Sequence, residues 1–173
     1  MSRILAIDPG PVFSAYCVID TDDYFCKECG KIHNESFFRV IAHRLDFTDA
    51  VVEGISSYGA RVGSTVFETC YTIGFSFAII GDTLGVALED MPDYILGHTI
   101  PRRVVKNILG LPPRATDADV IRYLTDRFAP GEPNFGKGRT GAPGWFYGFK
   151  NDIWQAYALG VAYIDANREQ GEG

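Results

Sequence analysis

Ile4, Leu5, Ala6 and Ile7 form an unbroken apolar run that ends abruptly in Asp8-Pro9-Gly10. A run without alternation is what a central strand covered on both faces needs, because each of its faces must be apolar. It predicts a sheet with helices on both sides. Pro9-Gly10 then turns the chain at once. Asp8 has two readings at the tip of such a strand. It can initiate the Asp-Pro-Gly turn. Alternatively it is a carboxylate held rigidly at the sheet edge and aimed at a metal ion or a phosphate, since burial without a positive partner would be costly.

The rest of the chain supplies what that strand requires. Phe13, Tyr16, Val18 and Ile19 mark a second strand after the Pro-Gly-Pro turn, and "YFCKECGKI" alternates well enough for a third. "NESFFRVIAHRL" reads as a helix, with Asn34 as N-cap and Phe37, Phe38, Ile41 and Leu45 at helical spacing. "DAVVEGI" is a short strand that ends in a second carboxylate, Glu53. A Gly- and Ser-rich entry leads to a long apolar helix ending at Gly81, with Val66, Thr69, Cys70, Ile73, Phe77 and Ile80 on one face. "DYILGHTI" predicts a further strand, and "PRRVVKNILG" a short helix from Pro101 to Gly110. "TDADVIRYLTDRF" is an amphipathic helix capped by Thr116, with Val120, Ile121, Leu124 and Phe128 as its buried stripe. Residues 129–147 hold many of the glycines and prolines and read as one loop. "FKNDIWQAYALGVAYIDANR" is the last helix, followed by a frayed tail over 168–173.

The order β-β-β-α-β-α-β-α, with helices added at the end, predicts an α/β fold. Its mixed five-stranded sheet has three antiparallel and then parallel strands, flanked by helices. At 173 residues the chain suits a single domain over 1–173. No apolar stretch approaches the roughly 20 residues that span a bilayer, and the N-terminus lacks the layout of a signal peptide, so a cytoplasmic location is expected. A net charge of −6 argues against coating nucleic acid through bulk charge but leaves room for a local basic strip beside an acidic site. Cys26 and Cys29 form a C-x-x-C followed by His33 and His43. Zinc would need both histidines at unusual spacing, so two inert thiols on a strand are expected over a zinc site. A disulfide is not expected in a reducing compartment.

Three carboxylates stand out by position: Asp8 ends the first strand, Glu53 ends the fourth, and Asp152 opens the last helix. If the first and fourth strands are neighbours, Asp8 and Glu53 lie side by side, and the last helix can bring Asp152 over them. Carboxylates so gathered repel one another unless a cation sits between them. Hard oxygen ligands suit Mg²⁺ or Mn²⁺, and a pair of such ions can activate water against a phosphodiester.

"ILAIDPG", "VVEGISSYG" and "KNDIWQAYALGVAY", in this order and with "RRVVKNILG" before the third, resemble the RuvC-type Holliday junction resolvases of the RNase H-like superfamily, especially small phage-encoded members. The resemblance spans nearly the whole chain. It implies an RNase H-like fold with Asp8, Glu53 and Asp152 as catalytic metal ligands for two Mg²⁺ or Mn²⁺ ions. It implies a structure-selective endonuclease acting on branched DNA as a homodimer, in the cytoplasm of a bacterial host if phage-encoded. The family commonly places a second aspartate three residues into the last helix. Here Gln155 stands there, a neutral ligand, and Asp117 or Asp119 from the preceding helix is a possible fourth carboxylate. Helix N-terminal charge is the other reading of those two. Arg102, Arg103 and Lys106 on one helix, with Lys137, Arg139 and Lys150 around the Gly-rich loop, are candidate DNA-phosphate contacts or plain surface charge. Tyr58 can stack on an unpaired base or pack in the core. Trp145, Phe146, Tyr147, Phe149 and Trp154 read mostly as core.

Two rivals share this fold: a nuclease for a flap or an RNA–DNA hybrid, and a branched-DNA-binding protein weakened at Gln155. A two-lobed actin-like or sugar-kinase-like ATPase would also begin with Asp-x-Gly. It needs a second phosphate loop that this sequence lacks, and about twice the length.

Overall fold

The computed structural model describes residues 2–56 and 63–171. Strands β1 (Arg3–Asp8), β2 (Phe13–Asp20) and β3 (Cys26–His33) form an antiparallel meander. Helix α1 (Asn34–His43) leads to β4 (Asp49–Gly54), which runs parallel to β1. Helices α2 (Ser64–Leu84) and α3 (Met91–Gly97) precede β5 (Thr99–Pro101), which is parallel to β4. Next come α4 (Arg102–Ile108) and α5 (Asp117–Phe128). A small hairpin, β6 (Gly138–Arg139) and β7 (Ala142–Pro143), interrupts the Gly- and Pro-rich loop before α6 (Ile153–Gly171). The five-stranded sheet has the order β3-β2-β1-β4-β5, so β1 is central, as its apolar run requires.

The sheet separates two cores. Ile4, Ala6, Cys17, Ile19 and Val51 pack with α4, α5 and α6 on one face. Leu5, Ile7, Tyr16, Val18, Ala50 and Val52 pack with α1 and α2 on the other, with Tyr94 and Ile95 of α3 at its margin. Helix α6 is buried from Ile153 to Ile164, as an all-round apolar helix must be. It lies so close to the sheet that a Cβ at Gly160 would overlap the Ile19 side chain and stand 3.0 Å from the Ala6 Cβ. Among the described residues no helix is long and apolar enough to cross a membrane.

Three expectations change. The segment "DYILGHTI" is mostly helix α3, and only Thr99 to Pro101 is strand. Pro92 in the first turn of α3 favours a helix start, and Ile95 packs with the second core. The α2 stripe is also rotated: Thr72, Ser76, Phe77 and Ile80 face inward, while Cys70 is exposed. The N-cap of α1 is His33, whose Nδ1 accepts a hydrogen bond from the Glu35 N–H, and Asn34 turns into the interior. Register pairs Cys17 with Cys29 across β2 and β3. Cys17 Sγ donates to the Ile153 carbonyl at 3.5 Å and Cys26 Sγ to the Glu28 carbonyl at 3.3 Å, and burial pushes the Cys17 thiol up. Phe146, Phe149 and Trp154 are buried as expected, whereas Tyr147 is about half exposed.

Candidate active site

The strands place the two central carboxylates directly. On β1, Ile4 and Ala6 face α6, so alternation puts Asp8 on that face too. On β4, Val51 faces α6, and Glu53 follows it by the same rule. The parallel register pairs Ile7 with Val52, which sets Asp8 and Glu53 side by side at the carboxyl edge of the sheet. Their side chains are only 14 % and 15 % exposed. Burial, and next the neighbouring Glu53 carboxylate, push the Asp8 carboxyl well above the usual carboxylate range. Arg102 pulls against that rise, and Asp152 adds to it.

The turn after Asp8 is fastened from below. Asn34 Nδ2 donates to the Gly10 carbonyl at 3.0 Å, and Thr72 Oγ1 donates to the same oxygen at 3.1 Å. Ser14 Oγ in turn donates to Asn34 Oδ1 at 2.8 Å. Three buried polar side chains from β2, α1 and α2 thus fix the backbone that carries Asp8, which a plain surface turn would not need.

Asp152 is the residue from which α6 starts: its carbonyl accepts the Gln155 and Ala156 N–H groups, both at 3.0 Å. Its side chain is ion-paired with Lys31 of β3 and about half exposed. Lys31 belongs to the same cross-strand row as the site, since Asp8 pairs with Ala15 and Ala15 with Lys31. Ala15 between them is fully buried. Gln155, in the first turn of α6, is buried at 8 % exposure. Among the described residues, no three His, Cys, Asp or Glu side chains are gathered closely enough to hold a metal ion by themselves.

The basic residues divide. Arg102 turns onto the carboxylates: Nε donates to Glu53 Oε1 at 2.8 Å, and Nη2 lies 3.2 Å from Glu53 Oε2 and 3.4 Å from Asp8 Oδ2. Arg103 and Lys106 line the same cavity of about 400 Å³ as Asp8, Glu53 and Arg102. Lys106 Nζ also donates to the Ala115 carbonyl at 2.7 Å. Lys137 lies over the Trp154 ring at 5.8 Å, at a second cavity, while Arg139 and Lys150 are exposed on the loop. Asp117 Oδ1 comes within 4.0 Å of Arg102 Nη1, at the margin of the site. Asp119 is committed to the cap of α5, its carboxylate accepting from the Thr116 N–H at 2.7 Å. Tyr58 lies outside the described residues.

The donor set fits a hard divalent cation. Mg²⁺ is usually held by one or two carboxylates together with water and substrate phosphate, and Asp8 with Glu53 supplies that pair. A largely buried pair of like charges also needs a cation between them, and among the described residues Arg102 is the one ion-paired with both.

No family model matches the chain, and no curated protein does. Solved structures do match. The structure of Thermus thermophilus RuvC superimposes with a TM-score of 0.66 at 13 % identity, covering 97 % of this chain and 96 % of that one. The chain has a RuvC-like fold. T. thermophilus RuvC in complex with a Holliday junction substrate aligns as well, with a TM-score of 0.64 at 13 % identity over 98 % of this chain and 96 % of that one. In this RuvC-like fold the five strands, their mixed directions and the flanking helices are those expected from the sequence, and the order sets β1 beside β4, the condition for Asp8 and Glu53 to be neighbours. Sequence reasoning missed Lys31 beside Asp152, the Asn34–Thr72 support under Gly10, and the inward turn of Arg102. The alternation Cys29, Lys31 on β3 was the available signal for the first.

Proposed function

We propose that the protein is a Mg²⁺- or Mn²⁺-dependent endonuclease that nicks phosphodiester bonds in Holliday junctions and other branched DNA, acting as a homodimer. The observation that carries this reading is the largely buried Asp8–Glu53 pair at the edge of a RuvC-like sheet, in a cavity also lined by Arg102, Arg103 and Lys106. The solved relative that carries a Holliday junction substrate supports the choice of substrate.

Asp8 and Glu53 would hold the cation, with Asp152 and Gln155 contributing from α6. Bound there, divalent ions supply an activated water and charge stabilisation for the leaving oxygen. The protein's own residues do the rest. Asn34 and Thr72 keep Asp8 in place, Lys31 orients Asp152, and Arg103 with Lys106 offers positive charge to the phosphate backbone. A four-way junction needs two symmetric nicks, which a two-fold dimer supplies. Phe67, Tyr71 and Phe75 recur every fourth residue along α2 and are 57–71 % exposed, an apolar stripe suited to a second copy.

The test is incubation of the purified protein with labelled four-way junction, linear duplex and RNA–DNA hybrid, each with Mg²⁺ and with EDTA. Paired nicks in the junction alone, only with Mg²⁺, are expected. Cleavage of the hybrid would make it a hybrid nuclease. Tight junction binding with no cleavage in either Mg²⁺ or Mn²⁺ would make it a binding protein.

A further inference from the structure

Arg102 is the first residue of α4, and its place is set by the three-residue strand before it. Pro101 pairs with Gly54, so the chain leaves β5 immediately beside Glu53. From there the guanidinium grips Glu53 through Nε and Nη2 and reaches Asp8 with Nη2. One side chain therefore answers both carboxylates. Among the described residues, Lys31 is engaged with Asp152 and Lys106 with the Ala115 carbonyl, while Arg103 lines the same cavity, exposed and without an ion pair to either carboxylate.

We propose that Arg102 is the built-in counter-cation of this site, which holds Asp8 and Glu53 together in the cation-free protein and competes with a divalent cation for their oxygens. Two carboxylates on neighbouring strand ends repel, and a forked guanidinium that never loses its proton stays paired with them and offsets part of that repulsion at every working pH. A divalent cation must displace these charge-assisted hydrogen bonds before it gains its own. Its affinity is lowered by the fraction of time that Arg102 occupies the carboxylates. Arg102 thus sets the cation concentration at which the site fills. The proposal rests on the reading of Asp8 and Glu53 as cation ligands but concerns occupancy rather than cleavage.

The experiment is Mn²⁺ titration by calorimetry, without DNA, of the wild-type protein, Arg102→Gln, Arg102→Lys and Arg103→Gln, with a melting curve of each in EDTA and in Mn²⁺. Arg102→Gln should bind Mn²⁺ at least about tenfold tighter, the scale of one lost set of charged hydrogen bonds. It should melt lower than wild type in EDTA, because the carboxylates are left unpaired, and recover in saturating Mn²⁺. Arg102→Lys, which keeps the charge and loses the fork, should fall between. Arg103→Gln removes the same charge from the same cavity and should change Mn²⁺ affinity by less than about twofold, because solvent screens it. Unchanged or weaker Mn²⁺ binding by Arg102→Gln overturns the proposal, as does an equal gain in Arg103→Gln. If Arg102→Gln does not fold, Arg102→Lys decides: tighter binding supports competition and unchanged binding overturns it. A complete lack of Mn²⁺ binding by all four proteins overturns it by a different route, together with the reading of Asp8 and Glu53 as cation ligands.

Discussion

At the scale of single residues, Gln155 shows how far a neutral group can substitute for a charged one. It sits one turn from Asp152 on α6 and is buried. A glutamine oxygen can ligate a hard cation but brings no charge, so a site completed by Gln155 should need a high Mg²⁺ concentration and work better with Mn²⁺. Gln155→Asp should lower the cation concentration giving half-maximal cleavage, and its melting temperature should fall in EDTA and recover with Mn²⁺. An unchanged cation dependence, together with loss of cleavage in Asp117→Asn, would move the fourth ligand to α5. The residues on the strand tips were legible because a charge that ends an apolar strand is unusual in itself. Arg102 was not. A basic residue at a helix start looks like surface charge, and only the pairing of Pro101 with Gly54 brings it to Glu53.

At the scale of elements, the junction of α3 and β5 was misread because eight residues rich in Tyr, Ile and Leu fit either period. What the sequence could not show is the polar cluster that fastens it. His98 stacks on Tyr94 at 3.9 Å between ring centroids, and its Nε2 lies 3.2 Å from Asp49 Oδ1. Tyr163 of α6 donates to Asp49 Oδ2 at 2.8 Å, so one carboxylate joins α3, β4 and α6. Burial opposes the charge on His98, but the hydrogen bonds to Asp49 and to the Tyr94 carbonyl outweigh it and raise its pKa. Burial likewise opposes the charge on Asp49, and the hydrogen bonds from His98, Tyr163 and Ala50 outweigh it and lower its pKa. The contribution of His98 is therefore full below about pH 6.5, its unfolded value, and is lost as pH rises through its raised folded value. The contribution of Asp49 is present above about pH 3.8 and is lost as pH falls through its lowered folded value. His98→Gln should consequently cost more stability at about pH 5.5 than at about pH 8.5, read as the shift in denaturant midpoint at each. An equal shift at both would mean that the ring acts by packing alone.

At the scale of the whole molecule, three meandering strands and then a strand reached through a helix were legible as a mixed sheet, and the structure arranges them as β3-β2-β1-β4-β5. That left β1 central and brought Asp8 beside Glu53. The reach of Asp152 depends on where α6 begins, and its capture by Lys31 depends on the β2–β3 register, neither of which shows in residue spacing. The net charge of −6 is compatible with DNA as substrate because the site's basic residues face the same cavity as its acidic ones. On the proposed function, this edge of the sheet cuts branched DNA through Asp8. The most direct measurement compares wild type and Asp8→Asn on a labelled four-way junction, following binding by gel shift and cleavage in Mg²⁺. Asp8→Asn should bind the junction as wild type does and cut it at least about a thousandfold more slowly, a barrier rise of roughly 4 kcal/mol. Cleavage by Asp8→Asn at the wild-type rate would contradict that reading and return Asp8 to a turn-forming residue.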